Sequence, residues 1–344
     1  MKRAPLLATL LLVASPAAAE VPEAPSPVKA TYVAPSATTE LAPGAKIGHL
    51  FRLNQTTPYI LQRLTKRTYF VESGHYATTF YVGDKGVLLF DPLEGHGPAI
   101  LQAIAEVTKL PVTAIVYSHD HADHIADTKV IVEASARAGV TKLRVIASQE
   151  TAAKLKLLAS KHPAPTETVG WPSGSFKYEG LTVQLHGFVH AAHTDDASAW
   201  LLVEDKVVHS PDLVNPDQPP FWSFAGAENY VYYRPNLKAL AALDWKYLNG
   251  GHGNVGSKDD LVFYNAFLDD LEAAVGKALG STPFGSGVDA TKINAHTAYL
   301  STWTELVAKK ATEVLRPKYG ELYGFDYATP SNAKMVAMTM FSYR

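Results

Sequence analysis

The sequence predicts an α/β fold in which two β-rich halves are covered by helices, and three observations lead there. Strand and helix patterns alternate between residues 97 and 160, β-rich stretches lie on either side of that region, and helical periodicity returns from residue 258. With 344 residues, 47% of them hydrophobic and 19% charged, the chain has material for one sizeable core and an appended element.

The first nineteen residues, "MKRAPLLATLLLVASPAAA", set a basic pair, Lys2-Arg3, before an apolar run from Leu6 to Val13 and a small-residue end at Ala17-Ala18-Ala19. This is the pattern of a secretory signal peptide (1–19) cut near Ala19. Its apolar run is shorter than the roughly 20 residues a helix needs to cross a bilayer. The expectation is therefore a periplasmic or secreted protein with no membrane anchor. Residues 20–45 are rich in Pro, Ala, Ser and Thr and read as an extended, poorly structured linker.

A globular domain is expected over 46–280. Within it, residues 68–92 combine aromatic and β-branched residues with turn chemistry at Gly83-Asp84-Lys85-Gly86, as consecutive strands do. A helix is expected over 97–108, a buried strand over 113–118, a helix over 125–138, a strand over 143–148 and a helix over 150–160. Strands follow at 181–188, 198–204 and 206–210, the last two meeting in a hairpin at Asp205. From Lys258, apolar residues at 261, 264, 268, 271 and 275 mark an amphipathic helix. A glycine-rich break (280–287) precedes a helical extension over 281–344, with a helix near 290–315.

A formal net charge of −2 and the lack of any dense Lys/Arg run past Lys2-Arg3 argue against a nucleic-acid partner. The absence of cysteine excludes disulfides, thiolate catalysis and Cys-ligated zinc.

The segment "VYSHDHADHI" (116–125) carries the chemistry. His119, His121, Asp123 and His124 directly follow an apolar strand, so they stand where the chain leaves a sheet. Residues two apart in extended chain point the same way, so His119 and His121 can converge on one point. Asp123 and His124, at the turn into a helix, can project toward a second point close by. Imidazole with carboxylate is a donor set for Zn, Fe or Mn, and six residues could serve two ions.

H-x-H-x-D-H after a buried strand resembles the signature of the metallo-β-lactamase fold hydrolases, which include glyoxalase II and bacterial lactonases. The resemblance implies a four-layer αββα sandwich of two mixed sheets flanked by helices. It also implies further ligands in the order His, Asp, His: His193 in "HAAHTDDASAWLL", Asp212 in "KVVHSPDLV" and His252 in "YLNGGHGNVGS". It implies one ion held by His119, His121 and His193, another by Asp123, His124 and His252, and Asp212 bridging them. Asp91, in "VLLFDPLEG", matches the family's aspartate beneath the metal site, which supports and orients ligands. The chain departs from the family's usual residues at Pro211, where Gly precedes the bridging Asp, and at Ala126-Asp127, where Gly-Gly is frequent.

Together with the signal pattern, the resemblance implies an exported hydrolase using two divalent ions, zinc with iron or manganese as alternatives, and a metal-bridging hydroxide. Its target would be an ester, lactone, thioester or β-lactam-like bond. Asp123 would orient the water or take a proton. The alternative implied by the same resemblance is a persulfide dioxygenase-like oxidoreductase with a single iron. The aromatic run "NPDQPPFWSFAGAENYVYYR" after Asp212 suggests a pocket wall for a partly apolar small-molecule substrate, with Phe221, Trp222, Phe224, Tyr230 and Tyr233 as candidates. Oligomeric state is not readable from the sequence.

Overall fold

The computed structural model describes residues 24–292 and 295–343, so the expected signal peptide lies outside the described residues. Two mixed sheets pack face to face. The first has seven strands in chain order: β3 (Ile60–Arg63), β4 (Thr68–Ser73), β5 (Tyr76–Val82), β6 (Val87–Phe90), β7 (Val112–Val116), β8 (Arg144–Ser148) and β9 (Glu167–Val169). The second has five: β10 (Ser173–Tyr178), β11 (Leu181–Gly187), β12 (Ser198–Leu202), β13 (Val207–His209) and β14 (Tyr247–Asn249). A two-stranded parallel pair, β1 (Tyr32–Val33) and β2 (Lys46–Ile47), lies beside them.

Three apolar layers account for the stacking. Phe70, Leu88, Phe90, Val116, Val183, Trp200 and Leu202 fill the space between the sheets. Alternate residues of the first sheet, including Val71, Phe80, Leu89 and Ile115, face outward beneath α2 (Gly97–Val107), α4 (Thr128–Arg137) and α5 (Gln149–Leu157). The outer face of the second sheet is covered by α7 (Tyr233–Ala242), α8 (Lys258–Gly280), α9 (His296–Tyr319) and α10 (Phe325–Phe341). The result is the expected αββα order, and the helices C-terminal to residue 280 belong to the fourth layer. Trp303, Val307, Phe325 and Val336 are fully or almost fully buried in the same core as Leu261 and Leu268.

Three expectations need correction. The helix expected over 125–138 is broken into α3 (Ala122–Ile125) and α4. Asp127 turns away from helical geometry at the break and its carboxylate accepts the Gly97 N–H at 2.8 Å, capping α2. The departure from Gly-Gly at this point therefore joins the two outer helices. The stretch expected to be a poorly structured linker is, from residue 24 onward, fixed to the body. Leu41 and Ala45 are buried, β1 pairs with β2, and Tyr32 donates to Asp217 at 2.6 Å. Finally, the short strands β3, β9 and β14, the Ser- and Gly-containing β10, and the helices α1 (Leu50–Thr56) and α7 are elements that sequence patterning missed.

The connections decide where chemistry can occur. β6 through β9 run parallel, β13 runs parallel to β14, and β11 runs with β13 because each is antiparallel to β12. The C-terminal ends of β6, β7, β11, β13 and β14 thus open loops along one edge of the sandwich, the usual place for a site in α/β sheets. Hydrogen bonds tie the sheets together there, among them Ala77 N–H to Gly251 O at 2.7 Å, Ser198 Oγ to Ser118 O at 3.0 Å and Asn249 Nδ2 to Thr79 Oγ1 at 3.0 Å.

Candidate metal centre

Each of the seven candidate ligands sits on one of these loops. His119 and His121 follow β7, Asp123 and His124 occupy the single turn of α3, His193 lies between β11 and β12, Asp212 follows β13, and His252 follows β14. Two of the loops require unusual backbone. Asp212 has φ 66°, and His252 stands between Gly251 and Gly253, both at φ 80°. A Cβ on Gly251 would lie 2.9 Å from the His124 ring, and one on Gly253 would lie 2.4 Å from the Pro216 carbonyl oxygen, so neither position accepts a side chain.

The donor atoms form two groups that share Asp212. In the first, His193 Nε2 lies 3.1 Å from His121 Nδ1 and 3.3 Å from His119 Nε2, while Asp212 Oδ2 lies 3.4 and 3.6 Å from His193 and His119. In the second, His124 Nε2 is 3.0 Å from Asp212 Oδ2 and 3.5 Å from Asp123 Oδ2, and His252 Nε2 is 3.1 Å from Asp212 Oδ1. Ligands about 2.0–2.1 Å from a tetrahedral ion stand roughly 3.3 Å from one another. The spacing within both groups fits that geometry.

Burial strengthens the fit. His119, His124, His193 and Asp212 are almost wholly buried, and neither His124 Nε2 nor Asp212 Oδ1, both facing the cluster, makes a protein hydrogen bond. Leaving such atoms unpaired is costly, whereas a cation between them would satisfy them. Burial, followed by His124, His193 and His121, holds the His119 imidazole well below its ordinary pKa, and burial brings His193 down to about 4. Neutral imidazole is the form that binds metal. Burial would raise the Asp212 carboxyl, but His124, His252 and His193 outweigh it and keep the group well below the carboxylate range.

Asp91 lies beneath the cluster as the resemblance implied, fully buried at the end of β6 with φ 35°. Its Oδ1 accepts the Ser118 N–H at 2.8 Å, and its Oδ2 pairs with His209 Nε2 at 2.8 Å and lies 3.5 Å from His124 Nδ1. Burial pushes its pKa up, yet His124 and His209 more than compensate and keep it ionised. Sequence reasoning missed His209. The signal was a lone histidine in the apolar strand "KVVHS", three residues before Asp212.

A second support was also missed. Lys154, on α5, reaches beneath the His119–His121 and His193 loops, with Nζ 3.2 Å from Asp120, 2.6 Å from Asp195 and 3.6 Å from Asp196. Burial and the Asp120 charge raise the Asp196 carboxyl to about 7. Nothing in the spacing of Lys154 marks it out before the fold brings α5 to these loops.

A cavity of about 330 Å³ opens onto the cluster, lined by Gly74, His75, Tyr76, His121, Asp123, His193, Asp212, Phe221, Trp222, Ala225, Gly226 and His252. None of these carries an ammonium or guanidinium group. Phe221 stacks on the His252 ring with centroids 5.2 Å apart and planes 7° from parallel. Trp222 is exposed beside it.

The other aromatic candidates are corrected. Tyr230, Tyr233 and Phe224 belong to the core under the C-terminal helices; Tyr233 donates to Leu213 O at 2.5 Å and Tyr230 to Glu272 at 2.6 Å. They turn inward because α7 begins at Tyr233 and faces α8, which period-based reading of an aromatic run could not foresee. His190 stacks on Tyr232, and His186 lies in β11, neither joining the donor groups.

Between Trp222 and Ala227 the chain makes one left-handed turn, α6 (Ser223–Gly226), with φ of 48°, 51°, 57° and 74°. For the three residues that carry a Cβ this conformation costs about 1–2 kcal/mol each.

Comparison with known proteins agrees with this geometry. The metallo-beta-lactamase superfamily model matches residues 74–252, an interval that contains all seven donors. The chain is 31% identical over 129 residues to a UPF0173 metal-dependent hydrolase of Azorhizobium caulinodans, covering 38% of this chain and 52% of the relative. It is 33% identical over 121 residues to one of Xanthobacter autotrophicus, covering 35% and 46%. The chain thus spans about half the length of the curated relatives it matches. In fold it is similar to a metallo-beta-lactamase from Pontibacter korlensis (TM-score 0.51, 18% identity, 61% of this chain and 99% of that one). It is also similar to metallo-beta-lactamase IND-7 (TM-score 0.50, 17% identity, 61% and 98%). With the family model spanning more than half of its residues, this chain belongs to the metallo-beta-lactamase superfamily.

Proposed function

We propose that the chain is a metal-dependent hydrolase with a dinuclear centre, acting on a partly apolar ester, lactone or thioester. The observation that carries this reading is the sharing of Asp212: its Oδ2 faces His119 and His193 of one group and His124 of the other, and its Oδ1 faces His252, so one carboxylate belongs to both donor groups. Two divalent cations held there, zinc, iron or manganese by the donor set, would lower the pKa of a bound water toward neutrality and polarise a substrate oxygen.

The protein's own groups supply the rest. His119, His121 and His193 would hold one ion, and Asp123, His124 and His252 the other. The Asp123 side chain keeps about a third of its exposure and lines the cavity, in reach of a water or a leaving group there. Phe221 and Trp222 give the substrate an apolar wall and shield one side from water.

The completeness of the second donor group supports a dinuclear hydrolase over a mononuclear iron dioxygenase. Elemental analysis with a hydrolysis screen tests the choice: about two zinc-type ions per chain and turnover of esters, lactones or thioesters are expected. One iron per chain with oxygen uptake on a persulfide would replace this reading. The N-terminal pattern further supports export. N-terminal sequencing of protein recovered from the periplasm or medium should begin near Glu20.

Among the described residues no helix is long and apolar enough to cross a membrane.

A further inference from the structure

We propose that Asn332, on the C-terminal helix α10, is a specificity-determining positioning residue that holds the Phe221–Trp222 wall against the metal cluster. The inference deepens the hydrolase reading and rests on it for its kinetic part.

The Asn332 side chain is fully buried and bridges both ends of the wall. Its Nδ2 donates to Pro220 O at 2.6 Å, and its Oδ1 accepts the Phe224 N–H at 2.9 Å. The next residue back, Ser331, accepts the Ser223 N–H on Oγ at 2.9 Å while donating to Ala328 O at 2.8 Å. Two adjacent residues in the middle of α10 therefore pair with the backbone at 220, 223 and 224, from a sequence distance of 108 residues or more.

What it holds is a conformation the segment would not keep alone. Ser223, Phe224 and Ala225 all carry left-handed dihedrals, and the turn aims Phe221 onto His252 and leaves Trp222 at the cavity mouth. Just beyond the turn, Glu228 and Asn229 donate backbone N–H groups to the carbonyls of His193 and Ala192, at 3.0 and 2.9 Å. The wall is thus pinned between α10 and the His193 loop. Neither Asn332 nor Ser331 lines the cavity, so any influence they have on substrate acts through the wall.

The test compares p-nitrophenyl octanoate with p-nitrophenyl acetate on the zinc-loaded full chain. For N332A, the octanoate KM should rise about tenfold, with kcat and the acetate KM within about twofold. Zinc content should stay unchanged. A second readout needs no turnover: Trp222 is the most exposed of the described tryptophans, so acrylamide quenching, taken as the difference between N332A and N332A/W222F, should change against the W222F difference of the parent protein. S331A should move both readouts in the same direction by less, and it replaces N332A if that variant fails to fold. An unchanged octanoate-to-acetate KM ratio together with unchanged Trp222 quenching would overturn the proposal, even if the variant melts earlier. If the parent protein hydrolyses neither ester, the quenching difference alone decides the clamp, and the hydrolase reading rests on the wider ester, lactone and thioester screen.

Discussion

At the scale of single residues, the centre depends on groups that touch no substrate. Asp91 accepts from the Ser118 backbone, pairs with His209 and lies against His124, so it orients ligands on two loops at once. D91N should keep the fold but weaken metal affinity about 10–100-fold, as loss of an orienting carboxylate does; competition with a colorimetric chelator measures this. H121A should lose ion from the first donor group and abolish turnover; a variant with two ions and normal turnover would remove His121 from the site. Glu72 is a residue of another kind. It is fully buried at the end of β4, with Asn54 Nδ2 donating to one carboxyl oxygen and no partner for the other. Burial raises its pKa well above 4.5 despite Asn54. An acid bound more tightly by its proton in the folded state is no burden below the unfolded pKa. It lowers stability progressively as pH rises above about 4.5 toward the raised native value. E72Q should therefore raise Tm at pH 7–8 and lose that advantage at pH 4, as thermal melts at the two pH values would show.

At the scale of elements, the loops that carry Asp212 and His252 are anchored by a buried polar knot. Lys46 of β2 sits 2.9 Å from Asp260 in the first turn of α8, both about 1% exposed, and also donates to Val255 O. Asp260 completes the α8 capping box with Ser257, Asn254 bonds Ile47 on both its N–H and its carbonyl, and Asp217 accepts from Asn254, Tyr32 and Ser26. Removing one partner of such a pair leaves a buried charge, so K46A should cost about 3–5 kcal/mol in urea unfolding. K46M/D260L should cost distinctly less than the single change. Equal losses would mean that the pair's attraction, and not the stranded charge, dominates.

At the scale of the whole molecule, the helices after residue 280 complete the fourth layer. Trp303, Val307, Leu315, Phe325 and Val336 pack with Leu261, Tyr264 and Leu271 of α8, and each large apolar side chain contributes about 1.5–3 kcal/mol by burial. A chain ending at Gly280 should aggregate or elute as an expanded species in size-exclusion chromatography, whereas a separable extension would leave a compact remainder. Metal binding should add to the stability of the intact chain. An ion present at a hundred times its Kd adds about 2.7 kcal/mol, so prolonged chelation should lower Tm, and zinc should restore it.

The sequence by itself determined the layer order and the neighbourhood of the chemistry. Strand-to-helix periodicity is local, and the motif at 119–124 stands out along the chain, while the four-layer order and His193, Asp212 and His252 followed from the family resemblance that this motif carries. Short strands such as β9 and β14 stayed hidden because three residues hold no period. Only the tertiary structure decided which groups distant along the chain meet: that Asp212 faces both histidine groups, that His209 and Lys154 support them, and that Phe221 and Trp222 turn to the cavity while Tyr230 and Tyr233 turn to the core. The physical reason is that a side chain's role in a loop is set by what the strand ends bring against it, and that pairing is not written in the loop.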